Sequence, residues 1–205
     1  SAGETLAIAA TRTPNDPEYS LQWGMRNTGQ APFYGVSGAD IRVADAWSQT
    51  TGSSSVVIAV VDTGVDYSHP DLAANIWRNS REIPNNRIDD DRNGYIDDVK
   101  GWNFVAKNND PMDDNGHGTH CAGNIAAVGN NNIGITGVCW NARIMPLKFL
   151  SSSGNGYVSD AIAAILYANR NGAQIISNSW GGSQYTQALK DAIDASPAVV
   201  VCAAG

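Results

Sequence analysis

The 205-residue sequence has few basic residues, few cysteines and no long apolar stretch. Its 13 Lys and Arg stand against 20 Asp and Glu, so the formal net charge is −7. A nucleic-acid-binding face needs clustered basic side chains, and this balance argues against one. Three cysteines at this length do not make a disulfide framework. Because no apolar run approaches the ~20 residues that cross a bilayer, we also expect no membrane span.

Short apolar strands alternate with amphipathic helices along the chain. Apolar, mostly β-branched residues run from Val56 to Val61, which is typical of a strand buried on both faces. Helical spacing followed by Gly172 indicates a helix over 157–171, and Asp40 is the expected N-cap of the first helix. The alternation predicts βαβ units and a parallel sheet. We predict strands at 56–61, 142–150, 174–180 and 198–204, the last one buried, and helices at 41–47, 118–128, 157–171 and 186–195.

Residues 80–115 are polar and rich in Asp, Asn and Gly, which predicts a long loop of the functional or liganded kind. Within it, Asp89, Asp91 and Asn93 occupy positions 1, 3 and 5 of a calcium-loop pattern, and Gly94 occupies position 6. Lys100 stands where that pattern has its closing Glu, so a solvated acidic turn is the alternative. The calcium ligands that we expect are Asp89, Asp91, Asn93, Tyr95 and Asp98, with Asp97 and Glu82 as further candidates.

Three motifs lie at or near the carboxyl ends of predicted strands, where parallel sheets bind ligands. Asp62 ends the first strand, although a turn or capping Asp is the plainer interpretation. Small residues flank His117, so another backbone or a substrate can approach its ring. His117 and His120 also have the i, i+3 spacing of helical metal ligands, which with Asp62 would indicate a metal hydrolase. The third motif is the segment 177–182, which ends in two glycines.

The order of these motifs resembles that of the subtilisin-like serine peptidases, the subtilases. The resemblance is carried by residues 60–66, 116–123, 177–182 and 199–205. It implies an α/β fold with a three-layer, doubly wound, mostly parallel sheet, in a single domain that contains the 80–115 insertion. It also implies that Asp62 orients His117, and that His117 is the general base of an Asp-His-Ser triad. His120 does not occupy the position of the base and is expected to be structural.

The same resemblance implies where a polypeptide substrate lies. An extended peptide would add as a strand between two segments of the chain. Small residues in the walls leave the primary pocket open, which favours a large apolar P1 side chain. The substrate-binding residues implied are Ser153, Gly154, Asn155, Gly156, Ser179, Trp180, Gly181, Ala203, Ala204 and Gly205.

A second calcium site and a thiol are implied by the resemblance alone. The family's tight calcium site would tie the irregular N-terminal segment to the body of the domain. Cys121 resembles a thiol found beside the catalytic His in one branch of the family, although a free Cys is more often a small buried apolar residue. The ligands of this second site would be Asp16, Asp71, Val128, Asn131, Ile133 and Ile135.

The nucleophilic part of the family pattern is missing from the sequence. The family's Ser lies in a Gly-Thr-Ser motif, which does not occur here, and its oxyanion-hole Asn would follow Gly205 directly. We therefore expect residues 1–205 to be an incomplete peptidase domain, inactive alone and completed by a C-terminal part. The family also implies an N-terminal propeptide, acting as inhibitor and chaperone, and a secreted protein. The alternative is a non-catalytic module of this fold that binds peptide or calcium.

Overall fold

The structure, a computed structural model, describes residues 11–182 and 184–204. The strands are β1 (Val57–Asp62), β2 (Trp102–Asn103), β3 (Arg143–Lys148), β4 (Ile175–Asn178) and β5 (Val199–Cys202). The helices are α1 (Val43–Trp47), α2 (His117–Ala126), α3 (Val158–Arg170) and α4 (Gln187–Asp194). All strand pairs are parallel, and the order across the sheet is β2-β3-β1-β4-β5.

Helices pack on both faces of the sheet because the side chains of β1 alternate between them. Ala59 and Val61 belong to the buried cluster beneath α3 and α4. Ile58 and Val60 point the other way, into the buried cluster beneath α2. The expected three-layer, doubly wound α/β fold is therefore confirmed.

The first helix begins later than predicted. α1 starts at Val43, and Arg42 before it has a left-handed backbone with φ of 52°. The Asp40 side chain accepts hydrogen bonds from the backbone N–H groups of Arg42 (2.7 Å) and Asn27 (2.8 Å). Asp40 therefore closes a turn ahead of the helix instead of capping it.

Part of the 80–115 segment is a strand, contrary to the prediction of a loop. Trp102 and Asn103 form β2 and pair with Leu147 and Lys148 of β3. Two residues are too short to leave a periodic pattern in the sequence, so tertiary pairing alone defines this strand.

The last strand is exposed, although its sequence predicts a buried one. Val199 and Val201 are 65% and 53% exposed, and Val200 between them packs against the core. β5 is the outermost strand of the described sheet, and helix packing covers one of its faces. None of the helices among the described residues is long and apolar enough to span a membrane.

Candidate active site

Asp62 and His117 meet at the carboxyl end of the sheet. Asp62 is the last residue of β1 and is fully buried. Its Oδ1 lies 2.8 Å from Nδ1 of His117, the first residue of α2. An ionised carboxylate only accepts hydrogen bonds, so Nδ1 donates and Nε2 is free to take a proton. The His117 side chain is 48% exposed, which lets the ring meet a ligand.

A glycine allows α2 to approach β1 this closely. A Cβ added to Gly118 would lie 2.1 Å from the backbone oxygen of Gly64 and 3.1 Å from the Cβ of Asp62. A side chain there would push α2, and with it His117, away from Asp62. Gly118 thus lets the end of β1 approach the first turn of α2, whereas a Cβ added to Gly116 would meet no described atom within 4 Å.

A hydrogen-bonded network that the sequence did not single out links the two segments. The Thr63 N–H donates to Asp62 Oδ1 (2.7 Å), and the Thr63 hydroxyl donates to Asp113 Oδ1 (2.9 Å). The Gly118 N–H donates to the Thr63 hydroxyl oxygen (2.9 Å). Thr119 donates to Asp113 Oδ2 from both its N–H (2.9 Å) and its hydroxyl (2.6 Å).

Asp113 carries a negative charge in this network at neutral pH. Burial alone would raise its pKa, but hydrogen bonds from Thr119 and from the backbone N–H groups of Gly116 and Asn115 outweigh burial. The pKa of Asp113 therefore falls from 3.8 to about 2. The signal in the sequence was an Asp four residues before His117.

Lys148 brings a buried positive charge to the same strand ends. It is the register partner of Asp62 on β3 and is buried. Its Nζ donates to the backbone oxygens of Thr63 (2.6 Å) and Leu150 (2.9 Å) and to the Asp114 carboxylate (2.6 Å). Such partners are needed because a buried, unpaired charge is strongly destabilising. A lysine inside an otherwise apolar strand is the signal in the sequence that points to it.

Cys121, and not His120, joins the Asp62–His117 pair. The ligand atoms of Asp62, His117 and Cys121 lie within 4.8 Å of one another, and Cys121 Sγ is 4.0 Å from His117 Nδ1. The His120 ring instead faces the Asn124 amide at 3.4 Å. The hydrolytic metal site of Asp62, His117 and His120 is therefore not assembled among the described residues.

The Cys121 thiol is protonated at neutral pH. Burial raises its pKa, a hydrogen bond with Ser179 lowers it, and the charges of Asp62 and Asp113 raise it further. A protonated thiol is a poor nucleophile.

A cavity of about 210 Å³ lies between the two segments that the resemblance assigns to substrate. Gly154, Asn155 and Gly156 contribute to its lining together with Trp180 and Gly181. Ser153 and Ser179, which are also predicted to bind substrate, do not line this cavity. Ser153 is exposed, and Ser179 contacts Cys121.

Two contacts fix the Trp180 side chain, and Ala203 and Ala204 do not line this cavity. The Trp180 indole N–H donates to the Val61 carbonyl at 2.9 Å, and its ring packs 4.8 Å from that of Phe149. Ala203 donates through its N–H to the Asn178 carbonyl (3.0 Å); it and Ala204 are exposed and outside the lining of this cavity. Gly205 lies outside the described residues.

Three carboxylates converge in the 80–115 segment. Ligand oxygens of Glu82, Asp91 and Asp98 lie within 4.8 Å of one another. The Asn79 amide contacts both Asp91 and Asp98 at 3.0 Å, and the Asn93 amide contacts Asp98 at 2.8 Å. Glu82 and Asn79 lie outside the 89–98 motif. The spacing of residues within that motif therefore does not predict the contacts of Asn79 with Asp91 and Asp98.

Burial and mutual repulsion make this cluster electrostatically unfavourable by itself. Burial raises the pKa of Asp98, although hydrogen bonds from Tyr167, Asn93 and Asn79 oppose it. Burial also raises the pKa of Glu82, and the charges of Asp98 and Asp91 add to this effect. Arg81 pairs with Asp91 at 3.0 Å and balances one of the three negative charges.

Two residues of the predicted calcium loop have other contacts. The Asp89 carboxylate accepts hydrogen bonds from the backbone N–H groups of Asn93 (3.0 Å) and Gly94 (2.8 Å). The Tyr95 ring packs against the rings of Trp102 (5.0 Å) and Tyr167 (4.9 Å). Asp89 is therefore outside the carboxylate cluster, and the Tyr95 side chain belongs to the core.

The second predicted calcium site is also brought together in space. Asp16 accepts hydrogen bonds from the N–H groups of Asn130 (2.7 Å) and Asn131 (3.1 Å). Asp71 accepts from the Asn131 amide (2.8 Å) and the Ile135 N–H (3.1 Å). No hydrogen bond within the described parts of the chain reaches the carbonyl oxygens of Val128, Ile133 or Ile135.

Comparisons with known proteins show which family the chain resembles. The sequence profile of the subtilase family matches residues 53–205. A thermophilic serine proteinase of Bacillus sp. (strain AK1) is 38% identical over 200 residues, which are 96% of this chain and 41% of that protein. Thermitase of Thermoactinomyces vulgaris is 38% identical over 197 residues, 94% of this chain and 58% of that protein.

A solved structure gives the same result at the level of the fold. The crystal structure of a cold adapted subtilisin-like serine proteinase matches with a TM-score of 0.54 and 29% identity, over 73% of this chain and 46% of that one. The chain belongs to the subtilase family. It spans between 41% and 58% of the length of these three proteins.

Proposed function

We propose that the protein is a serine endopeptidase and that this chain supplies the Asp and His of its catalytic triad. The observation that carries the proposal is the 2.8 Å contact between the buried Asp62 and the half-exposed His117 at the carboxyl ends of a parallel sheet. The nucleophilic Ser and the oxyanion-hole Asn would come from sequence beyond residue 205. The chain belongs to the subtilase family and spans only part of the length of its relatives, and both findings support this division of the catalytic residues.

The mechanism follows from the roles that the two side chains can take. The triad Ser attacks the peptide carbonyl and forms a C–O bond, while its proton passes to Nε2 of His117. Asp62 keeps Nδ1 protonated and stabilises the imidazolium that forms. His117 then gives the proton to the leaving amine, and the acyl-enzyme forms as the C–N bond breaks. Water, activated by the same base, hydrolyses the ester.

The polypeptide substrate would lie in an extended conformation beside the cavity between Gly154–Gly156 and Trp180. Unpaired backbone groups on such segments can bind a peptide as an added strand, and the cavity can take a side chain. The exposed glycines favour close approach of the substrate backbone. A large apolar side chain at P1 remains our expectation from the resemblance.

We further propose that calcium binds the carboxylate cluster in the 80–115 segment. Calcium prefers hard oxygen ligands, and Glu82, Asp91 and Asp98 offer three carboxylates within 4.8 Å. The amides of Asn79 and Asn93 could rotate to present their oxygens. A divalent cation would neutralise the charge that Arg81 leaves unbalanced.

A second calcium ion would bind where Asp16 and Asp71 approach the 128–135 loop. The Asn131 side chain and the carbonyl oxygens of Val128, Ile133 and Ile135 would complete its ligands. Both ions would act structurally, because neither cluster includes Asp62 or His117. Calcium sites of this kind fill at extracellular concentrations, which supports our proposal that the protein is secreted. From the family alone we also propose an N-terminal propeptide that acts as inhibitor and chaperone.

The test is peptide hydrolysis by the full-length natural protein and its variants. Asp62→Asn should leave the fold intact and lower kcat by about 10⁴-fold, because a neutral amide no longer fixes the His117 tautomer that is protonated at Nδ1 and no longer stabilises the imidazolium. His117→Ala should cause a larger loss, roughly 10⁶-fold, whereas Asp45→Asn, at an exposed ion pair with Arg42, should change nothing. Peptide binding without hydrolysis would favour the non-catalytic module instead.

A further inference from the structure

Asp113 connects the two segments that carry Asp62 and His117. Its Oδ1 accepts a hydrogen bond from the hydroxyl of Thr63, the residue after Asp62. Its Oδ2 accepts two hydrogen bonds from Thr119, which lies two residues beyond His117 in α2. One carboxylate therefore holds both the end of β1 and the first turn of α2.

The directions of these hydrogen bonds require an ionised carboxylate. The Thr63 hydroxyl accepts from the Gly118 N–H, so its own proton is directed at Asp113. The Thr119 hydroxyl likewise accepts from the Asp66 N–H (2.9 Å) and donates to Asp113. Both oxygens of Asp113 must then accept, which a carboxylate can do and an amide cannot.

We propose that Asp113 is a positioning residue for the reaction assigned above, a proposal that rests on the proposed function. Because the His117 side chain is half-exposed, the backbone at the start of α2 sets its place relative to Asp62. Asp113 fixes that backbone against the end of β1 through Thr63 and Thr119. A displacement of about 1 Å at a reacting group costs roughly 100-fold in rate.

The experiment compares Asp113→Asn with Asp110→Asn in the full-length natural protein. Asp110 lies on the same loop and accepts hydrogen bonds from Tyr67 and Met112, so it is a matched control. Turnover is measured per active site titrated with a fluorophosphonate, so that unfolded molecules are not counted. For Asp113→Asn we expect kcat per site to fall about 10- to 100-fold with KM nearly unchanged. For Asp110→Asn we expect the wild-type value.

A residue that only stabilises the fold would give a different result. Asp113→Asn would then lower the number of titratable sites and leave kcat per site at the wild-type value, which would overturn the proposal. If that variant does not fold, Thr63 decides the question. Thr63→Val should lower kcat per site, and Thr63→Ser, which keeps the hydroxyl, should recover it. Equal values for these two variants would also overturn the proposal.

A double variant tests whether the two residues act through one link. Thr63→Val and Asp113→Asn both break the Thr63–Asp113 hydrogen bond, so the rate loss of the double variant should be smaller than the product of the two single losses. Independent, multiplying losses would contradict the proposal. Failure of the proposed function is recognised separately, because the wild-type protein would then not hydrolyse peptides, or Asp62→Asn and His117→Ala would leave hydrolysis unchanged. If those two abolish hydrolysis and Asp113→Asn does not alter kcat per site, the positioning role alone fails.

Discussion

The hydroxyl of Tyr167 in α3 donates a hydrogen bond to the fully buried carboxylate of Asp98 in the 80–115 segment. Burial raises the pKa of Tyr167, so its phenol remains protonated and keeps its role as donor. This contact joins the proposed calcium cluster to the helix that packs beneath the sheet. The stability of the cluster and that of the core are therefore coupled.

Removing this hydroxyl should destabilise the protein. Tyr167→Phe leaves Asp98 with one fewer donor, and a hydrogen bond to a charged group contributes about 1.5–3 kcal/mol. The free energy of unfolding, measured by urea denaturation at fixed calcium, should fall by that amount. Tyr157→Phe is the control, because Tyr157 is 78% exposed and should give the wild-type value. Equal losses of unfolding free energy in both variants would show that the hydrogen bond to Asp98 does not stabilise the protein.

Chelation should lower the melting temperature. A ligand present at 100 times its dissociation constant stabilises the folded state by about 2.7 kcal/mol, which corresponds to about 5–11 °C for a domain of this size. Asp91→Asn should reduce calcium binding at the 80–115 cluster, and Asp71→Asn at the second site, each by one ion in isothermal titration. Identical melting curves with calcium and with EDTA would contradict the proposal of both calcium sites.

Thiol-directed mercurials should inhibit the full-length protein through Cys121. A bulky adduct on its Sγ, 4.0 Å from His117 Nδ1, would displace the imidazole from Asp62. The raised pKa of Cys121 predicts slow reaction with iodoacetamide near pH 7, since the thiolate is the reacting form. Cys121→Ala should resist the mercurial, whereas Cys202→Ala should not, although Cys202 is exposed. Full activity after confirmed labelling of Cys121 would refute this prediction.

Asp113 should contribute to stability above pH 3.8 and lose that contribution in acid. Its pKa is 3.8 when unperturbed and about 2 in the folded state, so the unfolded chain binds its proton first as the pH falls. The stability difference between wild type and Asp113→Asn should be constant from neutral pH to about pH 4. It should shrink from there to about pH 2, in urea unfolding measured at each pH. A difference independent of pH across this window would be inconsistent with an ionised Asp113.

More of the fold than of the site could be predicted from the sequence, because local residue patterns determine most of its strands and helices. The run 56–61, the helical spacing of 157–171 and Gly172 after it identified β1, α3 and the end of α3 without reference to distant residues. β2 and the exposure of β5 could not be predicted, because pairing and coverage by other elements decide them. The order of Asp62 and His117 in the sequence predicted their catalytic roles only through the resemblance of the chain to the subtilase family.

The supporting residues of the site depend on partners that are distant in sequence. Thr63 meets Asp113 across 50 residues, and Lys148 meets the Thr63 carbonyl across 85. Glu82 reaches Asp91 and Asp98 from outside the 89–98 motif. Spacing within a motif does not encode these contacts, and the structure is required to find them.

The most direct test of the account is the labelling of the full-length natural protein with a fluorophosphonate, followed by mapping of the modified residue. The proposed triad predicts one modified Ser, located beyond residue 205, and loss of labelling in His117→Ala with no loss in the Asp45→Asn control. Absence of labelling in the wild-type protein, or labelling that is unchanged in His117→Ala, would contradict the assignment of Asp62 and His117 to a catalytic triad.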